Sequence, residues 1–394
     1  MTATAMDRSP APLLAYDAKP DPISALLMLL GAAGAGLGLA FVFYALLVDG
    51  HAAFNTSSDM AWGSPIAFYL FFLLTSSGLS IVASLDTVFG LRVFHPVAKR
   101  CVWMSIVALV AGFSVLALEI GRPFRMLWAL PVGMQFHSPM WWMGVFYSLD
   151  LALLCAKFWL MHTRRWHAPG THGLSVLSFV ISILAPGTLG LVFGMMAMRP
   201  AWYSPIMPMY FILTGFVGAL AFVLFFTAVL PNQRRKPNEA LFDVLLPRLF
   251  FVSLLAVIGM RFGQIVTTLW SNYEGMEAHW LSLDSALFKI EILVGLALPA
   301  LLTATNGMRA NRALVMLAGF AYLIGNFFGR LELLINGQKV PLFKGYWAGY
   351  VDYWPSLTEW MLVPAGIGIY LFLYGAGEWL LRLAEAEPRQ GRTS

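Results

Sequence analysis

Apolar runs long enough to cross a bilayer recur about ten times along this 394-residue chain, and that recurrence constrains the fold more than any motif does. A membrane helix needs about 20 predominantly apolar residues. In lipid it is also the simplest way to pair every backbone N–H and C=O, because no water is present to do so. The runs fall near residues 23–48, 62–88, 98–120, 139–161, 173–196, 206–230, 246–270, 283–305, 312–334 and 356–380. Only 11% of the residues are charged, against about 25% in an ordinary soluble domain. The expected fold is therefore an all-α polytopic integral membrane protein of about ten transmembrane helices. The fifth run contains Pro186, Gly187, Gly190 and Gly194 and reads as an interrupted helix.

The chain divides simply. Residues 1–22 are polar, hold four prolines and read as a flexible cytoplasmic arm. The transmembrane domain covers 23–381, and the polar tail, 382–394, reads as disordered. The apolar run after the arm is far longer than the apolar core of a signal peptide.

Charge sets the orientation. Cytoplasmic loops carry an excess of Lys and Arg. Arg92, Lys99 and Arg100 follow the second run, and Arg164 and Arg165 the fourth. Arg234, Arg235 and Lys236 follow the sixth, and Arg309 and Arg312 the eighth. The loop after the first run has neither residue type. Both termini are thus expected in the cytoplasm. The net charge of +5 follows from this bias without any nucleic-acid partner.

Helices entering from the outer face begin alike, at Ser64-Pro65, Ser138-Pro139, Ser204-Pro205 and Pro355-Ser356. Proline suits the first helical turn and serine can cap it. Converging helix starts would also place positive dipole ends together at that face.

Metal-ligating chemistry is absent from the pattern. A transmembrane cytochrome needs histidines deep within facing helices. His51, His95, His137, His162, His167, His172 and His279 all fall in loops or near helix ends. Cys101 and Cys155 form no CxxC or Cys–His cluster. No Walker loop or GxGxxG fingerprint occurs. Any redox centre is therefore a diffusible ligand or belongs to another subunit.

What remains is a set of ionisable residues at membrane depth, which are costly and point to function. These are Glu119, Arg122, Asp150, Arg261, Lys289, Glu291, Arg330 and Glu359. Glu119, Arg122, Arg330 and Glu359 share the outer level, with Arg261 and Glu291 about two turns deeper. The plain alternative is mutual ion pairing, such as Arg261 with Glu291. Arg125, Lys157, Lys344 and Arg382 fit interface snorkelling. Trp62, Trp128, Trp141, Trp142 and Trp354 fit an interfacial aromatic belt.

At these residues the sequence resembles a family. The run Glu119-Ile120-Gly121-Arg122-Pro123 is similar to the acid–hydrophobic–Gly-Arg-Pro signature of the NrfD/PsrC (polysulfide reductase-type) membrane subunits. Trp62-Gly63, Ser138-Pro139-Met140 and Arg199-Pro200 with Trp202 resemble its helix entries. Arg261-Phe262-Gly263, Glu291, Arg330 and the Pro355–Glu359 segment resemble its ten-helix, HybB-like branch. The resemblance implies two four-helix bundles with flanking helices. It implies a haem-free subunit that binds menaquinone or ubiquinone near one membrane face. It also implies a docked four-cluster ferredoxin-like iron–sulfur subunit, serving a large catalytic subunit of molybdopterin, sulfur-compound or hydrogenase type.

Quinone reduction consumes electrons and protons together. Arg122 and His137, with Trp62 and Arg330, are the candidate quinone-binding residues, since a cation stabilises negative charge developing on a ring oxygen. Glu119 and Glu359, with Glu291, Arg261 and Asp150, are the candidate proton-transfer residues. Asp86 and Asp150 would extend such a path towards the cytoplasm. The chain departs from hydrogenase-type members at Ala185-Pro186-Gly187-Thr188, which lacks their histidine. A secondary transporter would show paired broken helices in two halves. A purely structural anchor would not need acids and bases gathered at one level.

Overall fold

The computed structural model describes residues 20–163, 166, 170–228, 238–271, 277–341, 349–381 and 383. The cationic loop residues Arg164, Arg165, Arg234, Arg235 and Lys236, and also His167, Lys344 and Arg382, lie outside this set, as do most of the terminal arm and tail.

The described chain is helical, and its long helices follow the apolar runs. These are α1 (Pro22–Val48), α2 (Ser64–Thr87), α3 (His95–Glu119), the short α4 (Pro123–Gly133), α5 (Pro139–His162), α6 (Thr171–Gly194) and α7 (Met207–Ala228). They continue with α8 (Ala240–Trp270), the short α9 (Glu277–Asp284), α10 (286–302), α11 (Asn306–Ala310), α12 (Arg312–Lys339) and α13 (Leu357–Leu380). Among the described residues nine helices are long and apolar enough to cross a membrane.

The run expected at 283–305 is α10, which is short and irregular. It consists of four α-helical residues, an eight-residue π segment over Ile290–Ala297, and five more α-helical residues. Pro299 has no N–H to return to the carbonyl one turn before it, which favours the wider turn. The fifth run differs from expectation in the other direction. Pro186 sits inside a continuous α6, at a buried position.

Two bundles emerge from the packing. Helices α2, α3, α5 and α6 form the first, and α7, α8, α10 and α12 the second. Helix α2 packs on α7 and α12 to join them. Helix α1 lies along α13, which also contacts α3. In the second bundle Gly295 and Gly325 meet backbone to backbone, so a Cβ on either would strike the other's main chain. Close approach through small residues is how membrane helices gain packing contact without a hydrophobic driving force.

At one end, here called the upper end, the loops interlock. Trp62 N donates to Gln338 Oε1 at 3.0 Å, and Gln338 Nε2 returns to Trp62 O at 2.9 Å. Trp202 Nε1 donates to Leu333 O at 2.7 Å, and Arg199 to Val340 O at 2.9 Å. Burial lowers the Arg199 guanidinium from its ordinary value, with Asp59 opposing. At the lower end Asp86 meets His95 at 2.8 Å.

Two local expectations change. Lys99 and Arg100 are not free loop cations: both lie in the first turns of α3 and are buried. Arg100 pairs with Glu378 at 2.5 Å, and Lys99 donates to Leu381 O at 2.9 Å. Of these starts, Ser356 caps its helix through its side chain. It accepts from Glu359 N while Glu359 accepts from Ser356 N, a capping box. At α2 the N-cap is Gly63, and Ser138 at α5 makes no side-chain cap bond.

Candidate functional site

The Gly-Arg-Pro run forms the turn from α3 into α4. Gly121 has a positive φ of 64°, and the His51 ring packs against its α-carbon. A side chain here would be strained by the backbone and blocked by the imidazole. The turn thereby exposes Arg122, while Pro123 starts α4. His51, Ile120, Gly121, Arg122, Arg125 and Ala129 line an open hollow at this corner. Glu119, the last residue of α3, stands beside it, and its Oε2 is buried with no hydrogen-bond partner among the described residues.

A second polar group lies within electrostatic reach of Glu119. Glu359 is fully buried at the start of α13. Its Oε1 accepts from Tyr353 OH at 2.6 Å, and its Oε2 from Ser356 N at 2.7 Å and Asn55 N at 3.3 Å. Tyr353 OH in turn accepts from Ser64 N at 2.9 Å. Burial, reinforced by the Glu359 carboxylate, pushes the Tyr353 hydroxyl above its ordinary value.

The third group is in the second bundle. The π segment of α10 carries Glu291, whose Oε2 meets Arg261 Nη2 at 2.7 Å. Arg261 also donates to Gln264 Oε1 at 2.9 Å. Tyr210 OH approaches Glu291 Oε1 at 3.4 Å. Arg330 is almost wholly buried, bonds the Thr214 hydroxyl and lies over the Phe211 ring at 4.9 Å.

The fourth group crosses the first bundle. Asp150 and Lys157 are both fully buried on α5. Lys157 therefore does not snorkel to an interface. Neither Asp150 oxygen nor Lys157 Nζ has a hydrogen-bond partner among the described residues. Lys157 interacts electrostatically with Asp150 and with Asp86, and Tyr147 with Asp150 and Arg330.

The structure thus brings Glu119 and Arg122 to one corner and sets Glu359 within reach. It places Arg261, Glu291 and Arg330 together in the other bundle, apart from that hollow. Trp62 turns to the junction of the bundles, stacked on Trp202 at 5.4 Å. His137 is exposed in the turn between α4 and α5. The sequence reading missed His51 as a wall of the hollow, and Tyr353 as the partner of Glu359. Both come from connecting segments whose side chains meet the helices only through tertiary packing. A histidine in the first outer loop was the available signal for His51.

Comparison with known proteins now bears on the arrangement. Residues 52–341 match the family described as Polysulphide reductase, NrfD. The chain belongs to this family. Several known proteins are similar to it over most of their length. A subunit of the selenate reductase of Mesobacillus selenatarsenatis is 23% identical, covering 84% of this chain and 88% of that protein. The Hdr-like menaquinol oxidoreductase integral membrane subunit of Archaeoglobus fulgidus is 24% identical, covering 86% and 90%. Protein NrfD of Escherichia coli is 26% identical, covering 73% and 97%. The family match begins at His51's neighbour and ends just past α12, so it includes the Gly-Arg-Pro corner and both bundles. The chain is a multi-pass membrane protein of this family.

Arg122 and the His51 ring offer hydrogen-bond donors at this corner, and the unpartnered Glu119 oxygen offers an acceptor beside it. Among the described residues, no three His, Cys, Asp or Glu side chains are grouped to hold a metal ion.

Proposed function

We propose that this chain is the haem-free quinone-binding membrane subunit of a respiratory oxidoreductase complex. It exchanges electrons between a menaquinone or ubiquinone pool and a docked four-cluster iron–sulfur subunit. That subunit serves a large catalytic subunit of molybdopterin, sulfur-compound or hydrogenase type. The observation that carries the reading is the buried, unpartnered Glu119 carboxylate oxygen beside the exposed Arg122 in the upper hollow. An unpaired acceptor at the edge of an open site is expected to find its partner in a ligand. The relatives named for selenate reductase and for a menaquinol oxidoreductase support the same class of chemistry.

A bound quinone would supply two-electron, two-proton chemistry. The chain's own residues do the rest. Arg122 holds the ring oxygen and stabilises negative charge on it. Glu119 takes or gives a proton at Oε2, and its nearness to Glu359 gives that proton an onward neighbour. Tyr353 and Ser356 hold Glu359 in place. The Lys and Arg bias puts the upper end at the outer face of a bacterial cytoplasmic membrane and both termini inside.

The test is quinone-linked turnover of the purified complex carrying Glu119→Gln or Arg122→Ala. Each is expected to lose at least tenfold in turnover while subunit assembly is retained. Full turnover in both variants would refute the assignment.

A further inference from the structure

Two small polar cavities flank the Arg261–Glu291 pair. The deeper one is walled by Tyr210, Thr214, Glu291, Tyr322, Asn326 and Arg330. The upper one is walled by Arg261, Gln264, Thr268, Ser282, Glu332 and Asn336. Each has room for water and nothing larger, so neither takes a quinone ring.

The upper cavity ends on Glu332, an acid that stands outside the family-like motifs. Glu332 is 4% exposed, about two turns below the upper end of α12. Its Oε2 accepts from Ser285 Oγ at 2.8 Å, and Ser285 also caps α10 through Leu287 N at 3.2 Å. Glu332 is within electrostatic reach of both Arg261 and Glu291. Arg261 Nε is buried beside this cavity with no hydrogen-bond partner among the described residues. Two carboxylates therefore lie within electrostatic reach of one guanidinium, each facing a water-sized polar space.

We propose that Glu332 is a proton-exchanging carboxylate that links Glu291 to the upper surface, so that the second bundle carries its own proton route. A proton leaves Glu291 for water beside Arg261, and the Glu332 carboxylate takes one up from that water. Glu332 then releases a proton upward, and Glu291 is reprotonated from the deeper cavity. One proton is moved, only O–H bonds change, and no electron is transferred. The charged groups that act on Glu332 are Glu291 on α10 and Arg261 on α8; the same helices also carry Asp243 and Arg248 on α8, Glu277 and Asp284 on α9, Lys289 on α10, and Arg312, Arg330 and Lys339 on α12. Asp284 and Lys289 are exposed. Arg261, Arg330, Glu291 and Glu332, three of them buried and Arg261 13% exposed, sum to zero charge. A proton added to either acid leaves an uncompensated positive charge, which favours its onward passage over its retention. This route deepens the quinone reading and rests on it only for the supply of protons.

Infrared difference spectra of the purified complex in lipid nanodiscs, recorded across a pH titration, test the exchange directly. The wild type is expected to show a titrating carboxyl C=O signal that Glu332→Gln abolishes. Ser285→Ala is expected to shift that signal, because it removes the hydrogen bond to Oε2, and Glu291→Gln to shift it through loss of the neighbouring charge. Turnover with quinone is expected to fall severalfold in E332Q and to recover in part in E332D. E332Q spectra superimposable on wild type across the titration would overturn the proposal. If E332Q fails to assemble, an S285A spectrum identical to wild type does the same. A Glu332 signal that behaves as expected in a complex whose turnover ignores quinone would overturn the quinone reading and leave proton exchange standing.

Discussion

Glu291→Leu removes the carboxylate that Arg261 meets at 2.7 Å, in a pair whose side chains are 13% and 6% exposed. The guanidinium would keep Gln264 at 2.9 Å and the Phe288 ring at 5.7 Å, but no anion in hydrogen-bond contact. Breaking a buried pair by removing one partner costs about 3–5 kcal/mol. Insertion scales place an arginine at the centre of a membrane helix at about 2.5–3.5 kcal/mol. The two figures meet near ~3 kcal/mol for E291L. Arg261→Met should be milder, since Arg330 and Tyr210 share a cavity with Glu291 and can partly replace the lost cation and donor. The double variant R261M/E291L removes both charges and forfeits chiefly the Gln264 bond, worth about 1 kcal/mol. The expected order of stability is therefore wild type, double variant, R261M, then E291L. Heating the detergent-solubilised complex and measuring the surviving monodisperse fraction gives an apparent midpoint for each. The reasoning fails if E291L matches wild type, or if the double variant is as unstable as the two single losses added together.

Ser356→Ala opens the capping box at α13 and removes the bond to Ala53 O at 2.8 Å. It should cost about 1 kcal/mol and lower the same apparent midpoint without abolishing assembly. Asp150→Asn should abolish any proton translocation measured in reconstituted vesicles while electron transfer to quinone continues. Unchanged translocation in D150N would remove Asp150 from the path.

Much of the helical frame was legible because lipid leaves the backbone few choices. Run length alone located nine helices, with ends displaced by a few residues. The irregular α10 was not legible, because its shortness and π segment depend on Pro299 and on the backbone contact of Gly295 with Gly325. Ionisable residues at depth marked the polar clusters, and the Arg261–Glu291 pair formed as the plain electrostatic account anticipates. Which residues share a cluster was another matter. Arg330 and Glu119 read as sharing the outer level, yet Glu119 ends α3 while Arg330 lies nine residues below the upper end of α12 in the other bundle, and hydropathy carries no information about neighbours across helices. Lys157 resembled an interfacial lysine by its place near the end of a span, but the face of α5 that bears it turns inward, beside Asp150. Tyr353 and His51 were missed because connecting segments have no periodicity to place them.

The two bundles treat their buried charges differently, and the difference bears on proton movement. In the second bundle Glu291 and Glu332 each have a hydrogen-bond partner, and each lines its own water-sized space. In the first bundle both oxygens of Asp150 and Lys157 Nζ are buried without such partners among the described residues. Each unpaired neutral group costs about 1–3 kcal/mol, and an unpaired charge costs more. Asp150 and Lys157 lie seven positions apart on one helix face, about 10 Å along the axis, too far for direct contact and near enough for bridging water. Asp86 and His95 then continue the line to the lower end at 2.8 Å. A bundle selected only as an anchor gains nothing from carrying such groups, and apolar residues of the same size would be cheaper. On the proposed reading, these groups between the Glu119 corner and the lower end are the ones that would carry protons. The same geometry explains why Asp150, and not the already paired Asp86, is the position whose neutralisation should uncouple proton movement from electron transfer.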